Sequence, residues 1–206
     1  LGWHRQSAGK WFVGLPLLCG RLQGELKKGL RQLVDTYQLE IRLTPNQDLL
    51  LCNIGTAQRG SVRSALEAMG IEAPEAPPLL ARHAIACPAL PLCGLAVTEA
   101  ERILPEVLDR LDAQLRRLEI EKPMLVRMTG CPNGCSRPYA AELGIVGRTK
   151  KNYDIFVGGS PAGDRLARLL RADVPLTEVP ELLRPLLDAF SRSDGEVQSF
   201  GDWAVE

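Results

Sequence analysis

Apolar residues recur at helical spacing in four stretches of the chain and at strand spacing in several others. The order of these periods sets the expected fold. Leu26, Leu30, Leu33, Val34 and Tyr37 stand three or four residues apart, which puts them on one face and predicts a helix over 25–37. Residues 10–15 (Lys10, Trp11, Phe12, Val13, Gly14, Leu15) form an apolar, aromatic strand candidate. Leu39, Ile41 and Leu43 alternate with charged residues like a half-buried strand, and Pro45-Asn46 supplies the turn into another at 48–52. A second helix, 58–69, is expected to stop at Gly70, since glycine accepts the left-handed backbone of a helix terminus. Strand, helix, strand, strand, helix is the order of a ferredoxin-like half-domain, expected over 1–71; the name describes a fold and implies no cluster.

Residues 72–79 read as a proline-rich linker, the best domain boundary in the chain. Beyond it, Ile103, Val107, Leu108, Leu111, Leu115 and Leu118 predict a helix over about 95–118, with a kink or restart at Pro105. Residues 124–128 read as a buried strand, 142–146 and 153–157 as further strands, and 178–190 as a closing helix. The fold class is therefore α+β, a ferredoxin-like half-domain followed by an α/β domain over 80–206.

At 206 residues the chain can bury a core without covalent staples. Lysine plus arginine and aspartate plus glutamate balance at 25 each, so no basic excess argues for nucleic acid as a partner. No apolar run approaches the roughly 18–20 residues of a membrane span. The sequence opens on Leu1-Gly2-Trp3-His4, with neither an initiator methionine nor a signal-peptide pattern, and is expected to be part of a longer protein.

Four of the six cysteines form one constellation, Cys87 and Cys93 as C-x5-C and Cys131 and Cys135 as C-x3-C, with 37 residues between the pairs. Four thiolates suit a cubane iron–sulfur cluster, whereas zinc ribbons and knuckles favour C-x2-C or C-x4-C. Pro132 fixes one φ angle, and Asn133-Gly134 permits left-handed turns that aim amides inward. A zinc site or buried free thiols remain the alternatives. Disulfides suit small secreted domains better than a chain of this length, and a reducing cytoplasm or plastid stroma suits cluster ligands.

The flanking residues carry a resemblance that spacing alone does not. Ala86-Cys87 through Cys93, running into Leu95-Ala96 and Glu99-Ala100-Glu101-Arg102, and then Met128-Thr129-Gly130-Cys131-Pro132-Asn133-Gly134-Cys135 resemble the siroheme-containing assimilatory sulfite reductases. Ser136-Arg137-Pro138-Tyr139, Ala141-Glu142-Leu143-Gly144 and Gly158-Gly159-Ser160-Pro161 are similar to the ferredoxin-dependent branch, and Arg42-Leu43-Thr44-Pro45-Asn46-Gln47 resembles the second half of the same enzymes. The resemblance implies a 4Fe-4S cluster held by Cys87, Cys93, Cys131 and Cys135, with Cys135 also the axial ligand of siroheme iron. It implies the six-electron reduction of sulfite to sulfide, with ferredoxin as donor and a missing N-terminal half of the same enzyme as partner. The isolated chain is then expected to be inactive, because the cationic residues of the substrate cavity come largely from that half, and an exposed apolar surface is expected where it would dock.

Siroheme carries eight carboxylates, so its pocket needs cations and amides. Arg127, Arg137, Arg148, Lys150 and Lys151 surround the second loop and are candidates, as is Asn133 within it; solvated surface is the plain reading for the cations. Arg42, Thr44 and Gln47 suit a structural turn better than an anion site. Cys19 and Cys52 lie in apolar segments and read as core thiols, and the tryptophans as packing residues. His4 and His83 are too isolated to be a metal pair. Three other functions stay open: a siroheme nitrite reductase, a haem-free iron–sulfur electron-transfer module, and a structural zinc protein.

Overall fold

The structure, a computed structural model, describes residues 1–71, 80–193 and 199–206. The chain divides into two compact units, Leu1–Pro77 and Pro78–Glu206. The linker expected over 72–79 lies outside the described residues.

In the first unit, β1 (Gly2–Arg5), β2 (Lys10–Leu15), β3 (Glu40–Leu43) and β4 (Leu49–Gly55) form one sheet in the order β1-β2-β4-β3, every neighbour antiparallel. Helix α1 (Gly24–Tyr37) links β2 to β3, and α2 (Arg59–Ala68) follows β4. Leu30 and Leu33 of α1 and Val62 and Leu66 of α2 bury against Val13, Leu15, Leu51 and Ile54 of the sheet. Gly70 takes φ +75° beyond α2, and the amides of Gly70 and Ile71 return to the carbonyls of Glu67 and Leu66, closing the helix end. Cys19 and Cys52 are buried, and desolvation raises the Cys52 thiol above its ordinary pKa.

One expectation for this unit fails. All four residues of β3 are exposed, Leu43 to 81% and Ile41 to 45%. Alternation tells which side of a strand an apolar residue takes, not whether anything covers that side, and β3 is an edge strand.

The second unit carries a five-stranded sheet in the order β5-β6-β7-β8-β9, from β5 (Ile85–Ala86), β6 (Val126–Thr129), β7 (Leu143–Gly147), β8 (Asn152–Val157) and β9 (Arg168–Pro175). β5, β6 and β7 run parallel; β8 and β9 continue antiparallel. Helix α3 (Leu104–Arg117) connects β5 to β6, and α4 (Val179–Ser191) and the single turn α5 (Phe200–Trp203) end the chain. Leu111 and Leu115 of α3, Leu183 and Leu187 of α4, Met124, Leu143 and Phe200 meet around a residual void of about 10 Å³, too small to loosen the core. Trp203 stacks on Phe200 and lies tilted against Phe190, in its expected packing role.

The helix expected over 95–118 begins only at Leu104, so Pro105 falls in its first turn, where a missing N–H leaves no bond unmade. Residues 94–103 instead form turns tied to the second cysteine loop. Gly158 and Gly159 also have a packing reason: a Cβ at Gly158 would stand 2.7 Å from Val205 Cγ1, and one at Gly159 2.2 Å from the Ala141 carbonyl oxygen.

Candidate functional site

The two cysteine pairs sit at the carboxyl ends of neighbouring parallel strands. β5 and β6 pair in the register Ile85↔Arg127 and Ala86↔Met128, so Cys87 leaves the sheet beside Thr129 and Gly130. The Cys87 amide donates to the Met128 carbonyl at 3.1 Å. Its sulfur in turn accepts the Gly130 amide at 3.3 Å and lies 3.4 Å from Thr129 Oγ1.

A strap after Cys93 closes the other side. The amides of Val97 and Thr98 both donate to the Gly130 carbonyl, at 2.9 and 3.1 Å, and Leu90 N reaches back to the Thr98 carbonyl at 3.4 Å. Within the first loop Cys93 N donates to the Ala89 carbonyl at 2.8 Å, and Ala96 N to the Cys93 carbonyl at 3.2 Å. Gly130 therefore has no room for a side chain, since a Cβ there would meet Ala89 Cβ at 2.5 Å and the Thr98 carbonyl oxygen at 2.7 Å. Two loops 37 residues apart in sequence are thus hydrogen-bonded to each other through one glycine.

The second loop turns through Gly134, at φ +69°, and Arg137, at φ +59°. Arg137 N donates to the Gly134 carbonyl at 2.8 Å. The buried Ser136 hydroxyl donates to the Met128 carbonyl at 2.7 Å, tying the residue after Cys135 back to β6. All six cysteines are free thiols: Cys131 is buried, Cys87 and Cys93 are half-buried, and Cys135 is exposed.

Among the described residues no group of three or more His, Cys, Asp or Glu side chains is close enough to hold a single metal ion. A tetrahedral zinc site would need its ligands gathered about one centre. A cubane instead takes its thiolates at four separated corners, and its ligands stand correspondingly wider.

Arg127 gives an independent sign of an anionic occupant. It lies on β6, 8% exposed, and its Nε is buried with no hydrogen-bond partner among the described residues. Desolvation lowers its pKa, and the neighbouring positive charge of Arg137 lowers it further. A buried guanidinium with a second cation near it is costly unless an anion completes the arrangement. The donor set beside the thiols, two guanidiniums and the exposed Asn133 at the loop tip, fits a polycarboxylate cofactor. Of the other cationic candidates, Arg148 is engaged by Asp154 at 2.9 Å. Lys150 and Lys151 line a cavity of about 330 Å³ with Thr98, Tyr153 and Thr177.

Arg42 pairs with Glu40 at 2.7 Å, and Thr44 Oγ1 accepts the amides of Asn46 and Asp48 at 3.3 and 3.1 Å, the hydrogen bonding of a structural turn. One supporting residue had no functional sequence signal: Thr98 lies in a segment whose apolar spacing continues from the helix.

Residues 4–69 match the family described as the nitrite/sulfite reductase ferredoxin-like half domain, and residues 80–204 the nitrite and sulphite reductase 4Fe-4S domain. The chain is 43% identical to a sulfite reductase (ferredoxin) of Synechococcus elongatus, over 98% of this chain and 33% of that protein. It is 39% identical to the hemoprotein beta-component of a sulfite reductase (NADPH) of Chromohalobacter salexigens, over 100% of this chain and 36% of that protein. It thus spans about a third of the length of these relatives. Among solved structures, the NirA protein of Mycobacterium tuberculosis matches with a TM-score of 0.85 at 23% identity, covering 100% of this chain and 40% of that one, a likeness of fold. With both units matched, and the cysteine loops inside the larger match, the chain belongs to the nitrite and sulfite reductase family.

Proposed function

We propose that this chain is the part of an assimilatory sulfite reductase that holds a 4Fe-4S cluster and siroheme, working within a longer enzyme that takes electrons from reduced ferredoxin. The observation that carries the reading is the parallel pairing of β5 with β6, which brings the Cys87 and Cys131 loops side by side and bonds Gly130 N to Cys87 Sγ.

In this reading Cys87, Cys93, Cys131 and Cys135 hold the cluster, and the exposed Cys135 thiolate also faces the haem iron. Arg127, Arg137 and Asn133 face siroheme carboxylates. When bound, the two cofactors would supply single-electron delivery to an anionic substrate, and the Cys135 thiolate would donate electron density to the haem. The chain's own work is to position and tune. The Gly130 amide withdraws density from Cys87 sulfur, the Val97 and Thr98 amides fix the Gly130 carbonyl, and the buried Arg127 offsets anionic charge.

Sulfite is favoured as substrate because the curated relatives described above are sulfite reductases by name. Nitrite is the second reading, since both matched domain families include nitrite reductases. Ferredoxin is favoured as donor by the 43% relative over the 39% one that bears NADPH in its name. A reducing compartment, cytoplasm or plastid stroma, suits six free cysteines. Among the described residues no helix is long and apolar enough to cross a membrane. The isolated chain is proposed to be inactive with sulfite, lacking the rest of the enzyme.

The test is the iron, acid-labile sulfide and siroheme content of the intact protein, followed by kcat/KM for sulfite and nitrite with reduced ferredoxin and with an NADPH-linked flavoprotein. Absence of iron and sulfide would overturn the cofactor reading. A larger kcat/KM for nitrite would reverse the substrate, and faster turnover with the flavoprotein would reverse the donor. Sulfide production by the isolated chain at the rate of the intact enzyme would overturn its inactivity.

A further inference from the structure

Tyr139 stands four residues beyond Cys135 and touches the loop from outside. Its hydroxyl donates to the Pro132 carbonyl at 2.9 Å, inside the C-x3-C segment. Its ring lies against Gly134, where a Cβ would come within 2.8 Å of Cε2. The ring is itself fixed to the sheet, edge to face with Phe156 of β8 at 5.1 Å and 88°, and the Tyr139 carbonyl accepts the Ala167 amide at 2.8 Å. Asn133, Gly134 and Cys135 thus form an arch with one foot buried at Cys131 and a tether from Pro132 to a side chain seated on β8.

We propose that Tyr139 is a positioning residue for the Cys131–Cys135 loop, its hydroxyl and ring together setting the course of the Asn133–Gly134 backbone, where the Gly134 amide turns back to the Cys131 carbonyl at 3.5 Å, and the direction of the Cys135 thiol. The physical basis is specific. The arch residues Pro132, Asn133 and Cys135 are exposed, so the loop lacks the apolar packing that would otherwise hold it, and a hydrogen bond at its second residue replaces that packing. A thiolate and a loop backbone that must keep station around a cluster gain from a rigid support, because small changes in the geometry about sulfur alter the charge felt by the iron. The consequence for a cluster rests on the cofactor reading above; the tether to Pro132 does not.

The experiment uses the intact protein and the variant Tyr139→Phe, which keeps the ring against Gly134 and Phe156 and removes only the hydroxyl. Four readouts are compared with wild type: thermal unfolding, midpoint potential of the cluster by EPR-monitored titration, iron release to a chelator, and hydrogen exchange at residues 133–135. The expected result is a thermal midpoint lowered by a few degrees at most, a shifted midpoint potential, iron release about five-fold faster, and faster exchange at 133–135. The five-fold figure corresponds to one lost hydrogen bond worth ~1 kcal/mol. Unchanged potential, iron release and exchange would overturn the inference. If the wild-type protein carries no iron or sulfide, the cofactor reading fails. Exchange then decides the tether alone: faster exchange in Tyr139→Phe supports it, and identical exchange overturns it.

Discussion

Gly130 donates its amide hydrogen to Cys87 Sγ at 3.3 Å, although the two residues are 43 positions apart. The same glycine accepts the Val97 and Thr98 amides on its carbonyl, so one residue is bonded to both sides of the first cysteine loop. That contact is possible only without a side chain, since a Cβ would stand 2.5 Å from Ala89 Cβ and 2.7 Å from the Thr98 carbonyl oxygen. Gly130→Ala is therefore expected to spread the two loops apart. The intact variant should purify with less than half the wild-type iron and acid-labile sulfide, and full retention of both would show that the loops do not depend on this approach.

Thr98 anchors the strap from behind. Its hydroxyl donates to the Lys150 carbonyl at 2.9 Å and lies 2.8 Å from the buried Tyr153 hydroxyl, which itself reaches the Glu99 carbonyl at 2.9 Å. Thr98→Val keeps the shape and removes the polar atom, leaving the part-buried Lys150 carbonyl without its donor. A loss of roughly 1–3 kcal/mol in stability to urea is expected. Thr98→Ser, which restores the hydroxyl, should recover most of it, and equal losses in both variants would assign the effect to the methyl group.

How far the sequence reveals this arrangement depends on what each residue signals. Helix α1 and the terminus of α2 were legible because Leu26, Leu30 and Leu33 repeat at helical spacing and Gly70 supplies a left-handed residue. The cysteine loops were legible as a pair, though nothing in their spacing tells that Gly130 joins them. The strap at 94–103 was hidden because Ile103 continues the apolar period of α3 backwards; period records a buried face and does not say where the backbone stops being helical. Strand β9 (Arg168–Pro175) left no signal at all, since seven of its eight positions are exposed or half-exposed edge residues with two arginines among them. Leu43 misled in the opposite direction: it alternates correctly, yet lies 81% exposed on an edge.

Glu142 holds the C-terminal end of the second unit to the strand that carries the second loop. It is 2% exposed; its Oε2 accepts the Leu125 amide at 2.7 Å and its Oε1 the Gly201 amide at 2.9 Å. Glu142→Gln replaces one acceptor with an NH2 group aimed at a donor. A destabilisation of about 2–3 kcal/mol is expected from a buried charged acceptor losing one of its bonds. Hydrogen exchange should rise first at 200–203, and exchange confined to other segments would mean that α5 does not depend on this carboxylate.

Asp112 gives a pH dependence whose sign can be worked out. It is 4% exposed on α3, and its Oδ1 accepts the Leu80 amide at 3.3 Å. Burial raises its pKa, with the Leu80 hydrogen bond and Arg116 opposing and Asp109 adding to the rise. The folded state therefore binds the Asp112 proton more tightly than the unfolded chain does. As pH climbs from the ordinary aspartate value, about 3.9, through the raised folded value, this group removes stability; above both values its full cost is present. Asp112→Asn keeps an oxygen for Leu80 N and carries no charge to desolvate. The variant should match the wild type in strong acid and exceed it increasingly toward neutral pH, measured by urea unfolding across that range. A difference that stays constant with pH would place its origin in packing, and a variant less stable than wild type at neutral pH would mean that the ionised carboxylate, through Arg116 and Leu80, is worth more than its desolvation costs.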